Sequence, residues 1–245
     1  MNNQATIDKM NQLKLHGMAL SFVNMLDTGS IHEFAPAEAL AHLIESEYDE
    51  RYNKRIKMLI KTANFRKVAH LEEITYDSCR NIGKKQLLKF HNSQWLDKGD
   101  NVIITGATGV GKSFLASAIG VKACMNGFRV HYSSSNQFFG NLKYERSCGN
   151  YFKRIEQLAK KDLLILDDFG LEILDKDSRI ILFDVLESRI ERKSLLVASQ
   201  IPIDAWYDLI GDKTLADAIC DRIIPNSIKI ELKGDSMRKK RKSDA

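Results

Sequence analysis

One eight-residue run, Gly106-Ala107-Thr108-Gly109-Val110-Gly111-Lys112-Ser113, constrains this chain more than any other feature, because it matches G-x-x-x-x-G-K-[S/T] in full. The aliphatic segment Val102-Ile103-Ile104-Thr105 precedes it, and Phe114-Leu115-Ala116-Ser117-Ala118-Ile119 follows as the opening of a helix. Glycines let such a loop fold around phosphate oxygens. Several N–H groups then point inward beside a helix N-terminus that carries partial positive charge. In this frame Lys112 contacts the β- and γ-phosphates of a bound nucleotide, and Ser113 Oγ ligates Mg2+. A glycine-rich turn with no ligand is the bland alternative, and the flanking strand and helix argue against it.

The run Leu163-Leu164-Ile165-Leu166-Asp167-Asp168 supplies a second half. Four consecutive aliphatics suit a strand buried on both faces of a parallel sheet. Acids at its carboxyl end emerge in the crevice where open α/β sheets bind ligands. Asp167 is expected to hold Mg2+, directly or through water, and Asp168 to orient or deprotonate the attacking water. The bland reading is a pair of acids capping a strand exit. Asp168-Phe169-Gly170 spells a kinase-like string, but no G-x-G-x-x-G, H-R-D or A-P-E accompanies it, which excludes a protein kinase.

Around these motifs, short aliphatic runs alternate with helical periodicity. Strands are expected at 102–105, 129–133, 163–167, 195–199 and 228–232. Helices are expected at 113–125, 136–145 and 178–192, with two short ones within 204–223. Alternation of this kind implies βαβ units and a five-stranded parallel sheet covered on both faces. Residues 1–95 read instead as helical. One apolar stripe runs through Ile7, Met10, Leu15, Met18, Phe22, Met25 and Leu26 until Asp27-Thr28-Gly29-Ser30 breaks it. A long helix then starts near Pro36, with Leu40, Leu43, Ile44, Tyr48, Tyr52, Ile56, Leu59, Ile60 and Ala63 as its apolar positions. A shorter helical stretch is expected around residues 79–90. The reading is therefore a helical domain over 1–95, an α/β core over 96–233 and a basic tail over 234–245.

Composition narrows the class. Of 245 residues, 44% are apolar, enough to fill a core, so wholesale disorder is excluded. No apolar run approaches the ~20 residues that span a bilayer, and the first residues lack the basic and apolar regions of a signal peptide. A cytoplasmic protein without a membrane partner is expected. Cys79, Cys124, Cys148 and Cys220 form no C-x-x-C pair, so they are expected to be reduced thiols rather than zinc ligands or disulfides.

With these two motifs, Leu215-Ala216-Asp217-Ala218-Ile219-Cys220-Asp221-Arg222 and the ending Ile230-Glu231-Leu232-Lys233-Gly234-Asp235-Ser236-Met237-Arg238 resemble the IstB-like branch of the AAA+ ATPases, related to the DnaC helicase loaders. The similarity covers nearly the whole chain. It implies an AAA+ P-loop fold that lacks a full helical lid, since only residues 233–245 follow the last strand. Ser199-Gln200 occupies the position where a polar side chain watches the γ-phosphate; many members carry Asn there, so Gln200 is a departure. Arg222 matches the arginine finger, which reaches the γ-phosphate held by a neighbouring subunit; a surface arginine paired with Asp221 or Asp217 is the alternative. Arg238 substitutes for the lid's arginine or simply belongs to the basic tail. Asp168 stands where most members have Glu, which implies slow or DNA-stimulated hydrolysis.

A net charge of +5 says little until it is located. Arg51, Lys54, Arg55, Lys57, Lys61, Arg66 and Lys67 fall between residues 51 and 70 with no acid among them, while Glu45, Glu47, Asp49 and Glu50 are segregated upstream. On a helical wheel Lys54, Lys57 and Lys61 lie opposite the apolar positions Tyr52, Ile56, Leu59 and Ala63. Cations segregated in this way suit duplex DNA phosphates, read largely without sequence preference. A solvated face is the alternative. Together with the resemblance, the expectation is a homo-oligomeric, ATP-dependent helper of a transposase that assembles on duplex DNA. A DnaC-like helicase loader is the runner-up, and a small-molecule P-loop kinase leaves Arg222 and the basic stripe without a use.

Overall fold

The structure, a computed structural model, describes residues 3–74, 81–189 and 193–237. Cys79, residues 190–192, Arg238 and the rest of the basic tail lie outside these. Contacts divide the chain into two compact units, Met1–Met58 and Leu59–Ala245.

The first unit is helical: α1 (Asn3–Gln12), α2 (His16–Asp27) and the beginning of α3 (Pro36–Ala63). The single stripe expected from Ile7 to Leu26 is broken in two, because Lys14 adopts a left-handed φ of 59° and ends α1. Lysine is an uncommon residue for that turn, so the sequence carries no clear sign of it. Gly17 lets α2 lie against α3: a Cβ there would meet Ser46 O at 2.4 Å. No side chain of its own caps α2. Glu47 of α3 does so from a distance, its Oε2 accepting from Gly17 N at 2.8 Å and Met18 N at 3.2 Å. An anion at a helix N-terminus satisfies orphan donors and complements the helix dipole. Leu43 and Glu47 are thus the buried side of α3 here, and Leu40, Ile44, Tyr48 and Tyr52, expected on the packed face, are exposed.

The second unit contains a five-stranded parallel sheet of β1 (Asn101–Gly106), β2 (Val130–Ser134), β3 (Leu163–Phe169), β4 (Ser194–Ser199) and β5 (Ser227–Leu232). The spatial order is β2-β3-β4-β1-β5. Each strand expected from sequence is present within a residue or two of its bounds. Strand residues alternate between two cores. Val102, Ile104, Ile165, Leu196 and Ala198 join one core with α6 (Lys112–Met125), while Ile103, Leu164, Leu166, Leu195 and Val197 join the other. That second core is closed by α7 (Ser135–Ser147), α8 (Tyr151–Ala159), α9 (Lys176–Glu187), α10 (Trp206–Ile210) and α11 (Lys213–Ile223). The helix α8 was not expected. Trp95 and Trp206 are buried packing residues.

Two short helices, α4 (Lys84–Leu88) and α5 (Gln94–Asp97), precede the sheet. Their neighbourhood belongs to the sheet's core: Ala63, Ala69, Leu71, Ile74, Ile82, Leu87, Phe90 and Trp95 all pack with α6 and the strands. The observed division therefore falls within α3 rather than near residue 95. A helical texture had suggested a separate domain, but these side chains cover one face of the sheet. Among the described residues no helix is long and apolar enough to cross a membrane, and Cys124, Cys148 and Cys220 are free thiols.

Candidate nucleotide site

The loop 106–113 turns where its glycines allow. Gly106 has φ 148° and a Cβ there would meet Leu232 O at 2.4 Å; Gly109 has φ 85° and a Cβ would meet Ser236 Oγ at 2.2 Å. Leu232, Ser236 and Met237 therefore close over the loop, with Met237 N donating to Gly109 O at 3.0 Å. Only glycine fits both backbone conformations at so close an approach. Val110 anchors the loop in the core beneath. Lys112 is 5% exposed, and its ammonium donates to Gly106 O at 2.8 Å and Ala107 O at 2.9 Å.

A cavity of about 600 Å³ opens beside this loop. Thr108, Gly109, Gly111, Lys112 and Ser113 line it, and Asp168 and Gln200 face them from the ends of β3 and β4. Gln200 Oε1 accepts from Thr108 Oγ1 at 2.6 Å, which ties the loop to the exit of β4. Ser199 does not join the cavity wall: it is fully buried, its Oγ donating to Phe169 O at 2.8 Å and accepting from Ile201 N at 3.0 Å. Asp168 owes its position to an irregularity. The β3–β4 register shifts between Leu166 and Phe169, and Asp168 takes a left-handed φ of 55°. Aspartate tolerates that conformation better than most residues, and such a bulge re-aims a side chain.

Asp167 is 1% exposed. Its Oδ1 accepts from Asp168 N at 3.0 Å and its Oδ2 from the Tyr132 hydroxyl at 2.5 Å. Burial and the adjacent carboxylate push the Tyr132 phenol well above its ordinary range, so it remains a donor. The donor set of a hydroxyl (Ser113) and a carboxylate (Asp167) fits a hard cation such as Mg2+, which completes its shell with phosphate and water oxygens. Ser113 stands in the first turn of α6 behind the glycine cradle, so the residues present suit a nucleotide–metal complex.

Sequence reading missed part of the cavity wall. Ala69, Ile74 and Ile82 come from the segment ahead of the sheet, Tyr132 from β2, and Met237 from beyond β5. Arg66 and Lys67, grouped with the basic stripe, also line this cavity. Arg51, Lys54, Arg55 and Lys57 belong to the first unit and are exposed, with Arg51 Nε on Glu47 Oε1 at 2.6 Å; Lys61 is exposed on the last turn of α3. Arg222 lines no part of the cavity in its own chain. Its guanidinium donates to Ala218 O at 2.6 Å, pairs with Glu187 rather than Asp217 or Asp221, and lies 5.0 Å from the centre of the Phe183 ring.

A family profile described as IstB-like ATP binding protein matches residues 8–245. The chain belongs to this family. It is 38% identical over 234 residues, 96% of either chain, to a Sinorhizobium fredii protein described as an insertion sequence ATP-binding protein. Among solved structures, AMPPCP-bound DnaA from Aquifex aeolicus superposes with a TM-score of 0.60 at 20% identity, over 74% of this chain and 56% of that one. The DnaC helicase loader gives a TM-score of 0.53 at 19% identity, over 71% of this chain and 98% of that one. At these identities the likeness is one of fold, that of the AAA+ P-loop nucleotide-binding proteins. The resemblance read from the sequence is thereby borne out, and the chain is an ATP-binding family member associated with insertion sequences.

Proposed function

We propose that this chain is a Mg2+-dependent ATPase that assembles on duplex DNA and assists the transposase of its insertion sequence. One observation carries the reading: the phosphate loop, Asp168 and Gln200 face each other across a single cavity in a chain whose relatives are described as insertion sequence ATP-binding proteins. The likeness to a helicase loader extends to the fold alone, so the transposition reading is preferred.

The backbone N–H groups of the loop and the α6 N-terminus would bind the phosphates. Lys112, now occupied by carbonyl groups of its own loop, would exchange them for the β- and γ-phosphate oxygens. Ser113 and Asp167 would hold Mg2+, which supplies charge neutralisation on the phosphates when bound. Asp168 would orient or deprotonate the attacking water, and the Thr108–Gln200 contact would report the γ-phosphate to the loop. Arg222 would reach the nucleotide of a neighbouring subunit, leaving Glu187 for a phosphate oxygen. Contacts of that kind exist only in the ATP state, so assembly becomes nucleotide-dependent. Arg51, Lys54, Arg55, Lys57 and Lys61 would meet DNA phosphates, with Arg66 and Lys67 nearest the nucleotide.

The test is anisotropy of a labelled random-sequence duplex with a non-hydrolysable ATP analogue or ADP, with the element's transposase added in a second series. The analogue is expected to tighten DNA binding and transposase recruitment, and Lys112→Ala to abolish both effects. Equal binding with either nucleotide, or an unaffected Lys112→Ala variant, would overturn the reading.

A further inference from the structure

Tyr132 sits in β2, the edge strand beside β3, in register with Ile165 two residues before Asp167. Side chains two apart on a strand share a face, so Tyr132 and Asp167 project to the same side of the sheet, the side covered by α6. There the phenol donates to Asp167 Oδ2 at 2.5 Å. Ser117 of α6 is buried too and lines the same cavity wall as Tyr132. Ser117 also stands one helical turn beyond Ser113, on the same face of α6. The hydrogen bond from Tyr132 thus ties the edge strand to the strand that carries the acid, on the face that α6 covers.

The arrangement has little freedom. Tyr132 is 3% exposed, Ser117 2% and Asp167 1%. The Phe65 ring lies against the Tyr132 ring with centroids 5.8 Å apart. Ser135 Oγ donates to the Asp167 main-chain oxygen at 3.1 Å, and Asp168 N–H holds Oδ1. With Oδ2 held by a neutral donor, the carboxylate plane is fixed, and Tyr132 and Ser117 both reach the cavity wall beside Ser113. Groups that hydrogen-bond a metal-ligating carboxylate orient it and tune its affinity.

We propose that Tyr132 is a positioning residue for the Mg2+ that accompanies the nucleotide: its phenol presents the Asp167 carboxylate in one orientation. The inference rests on the reading of Asp167 as the residue that holds Mg2+. Tyr132 does not touch the reacting atoms, and its effect is carried wholly by Asp167.

The experiment titrates Mg2+ into the full chain bound to a fluorescent ATP analogue and follows binding rather than turnover. Parallel titrations use Tyr132→Phe and Asp167→Asn, with each variant's nucleotide affinity also measured in EDTA. Tyr132→Phe is expected to raise the half-saturating Mg2+ concentration about 10-fold, as loss of a partner behind a metal ligand typically does. Nucleotide affinity in EDTA is expected to stay unchanged. A Tyr132→Phe titration that superposes on the parent, beside a shifted Asp167→Asn, overturns the inference and leaves the Asp167 reading intact. An unshifted Asp167→Asn removes the reading itself. Should Tyr132→Phe fail to fold, Tyr132→Gln, which keeps a neutral donor, and Tyr132→Leu, which has none, decide: the same Mg2+ dependence in both, beside a shifted Asp167→Asn, counts against the inference.

Discussion

In the unit that ends at Met58, one buried carboxylate, Glu47, ties α2 to α3, whereas from Leu59 onward the acids of the candidate site gather at the carboxyl edge of a buried sheet. The first arrangement depends on a contact 30 residues apart in sequence, between a glycine and an acid that no local pattern joins. The second follows from a loop and a strand whose residues are contiguous. Buried area differs accordingly: α1 has no buried residue, while β3 is buried through six of its seven. A site built on a packed sheet holds its geometry with little help. A helical unit with few buried side chains holds together through a small number of polar ties, and that suits a surface made to meet a partner.

The largest test of this contrast is in the second unit. Arg222→Ala and Asp168→Ala are each expected to reduce ATP hydrolysis roughly 10²-fold, the scale of losing one group that acts on transition-state charge. Mixed together they are expected to recover part of it, because some interfaces then pair an intact finger with an intact acid. Absence of recovery at every ratio would confine Arg222 to its structural contacts with Glu187 and Phe183.

In the first unit Glu47→Gln is expected to cost about 1–3 kcal/mol, the scale of disturbing a buried charged hydrogen-bond acceptor, read as faster amide exchange at Gly17 and Met18. Exchange at β3 should not change. Burial alone would raise the Glu47 pKa, but the Arg51 side chain and the Met18 and Gly17 N–H groups outweigh it and hold the carboxyl below its ordinary value. A depressed folded-state pKa gives stability that is present above the ordinary glutamate range and is lost as pH falls through the folded value. The α2–α3 contact is therefore expected to loosen on acidification before the sheet does.

Much of the site was legible because its chemistry is contiguous. Residues 106–113 and 163–168 carry their own strand, turn and helix signals, and each expected strand formed. What was illegible depended on distance or on one irregular residue. Tyr132 lies in a strand whose pattern reads as ordinary core, and only the β2–β3 register brings it to Asp167. Ser199 and Gln200 are adjacent, yet the end of β4 sends one inward and the other to the cavity. On α3, periodicity marked Leu40, Ile44, Tyr48 and Tyr52 as packed, but the neighbouring α2 meets the side that holds Leu43 and Glu47. Periodicity reports that a face is apolar and leaves open what covers it.

Smaller effects divide the basic residues. Replacing Lys54, Lys57 and Lys61 with Gln is expected to weaken binding to every duplex sequence alike. The salt slope should fall by about 0.9 for each phosphate contact removed, roughly 3 in all. Arg66→Ala and Lys67→Ala line the nucleotide cavity and are expected to weaken nucleotide binding a few-fold while changing that slope less. A reversed pattern would return these two residues to the DNA surface.

The central claim, that ATP bound at the loop drives assembly on DNA, is tested most directly by sedimentation velocity of the full chain with duplex DNA. With a non-hydrolysable ATP analogue and Mg2+, the account predicts a protein–DNA species several subunits larger than that formed with ADP, and none of it for Lys112→Ala. Complexes of the same size with the analogue, with ADP and without nucleotide would contradict it.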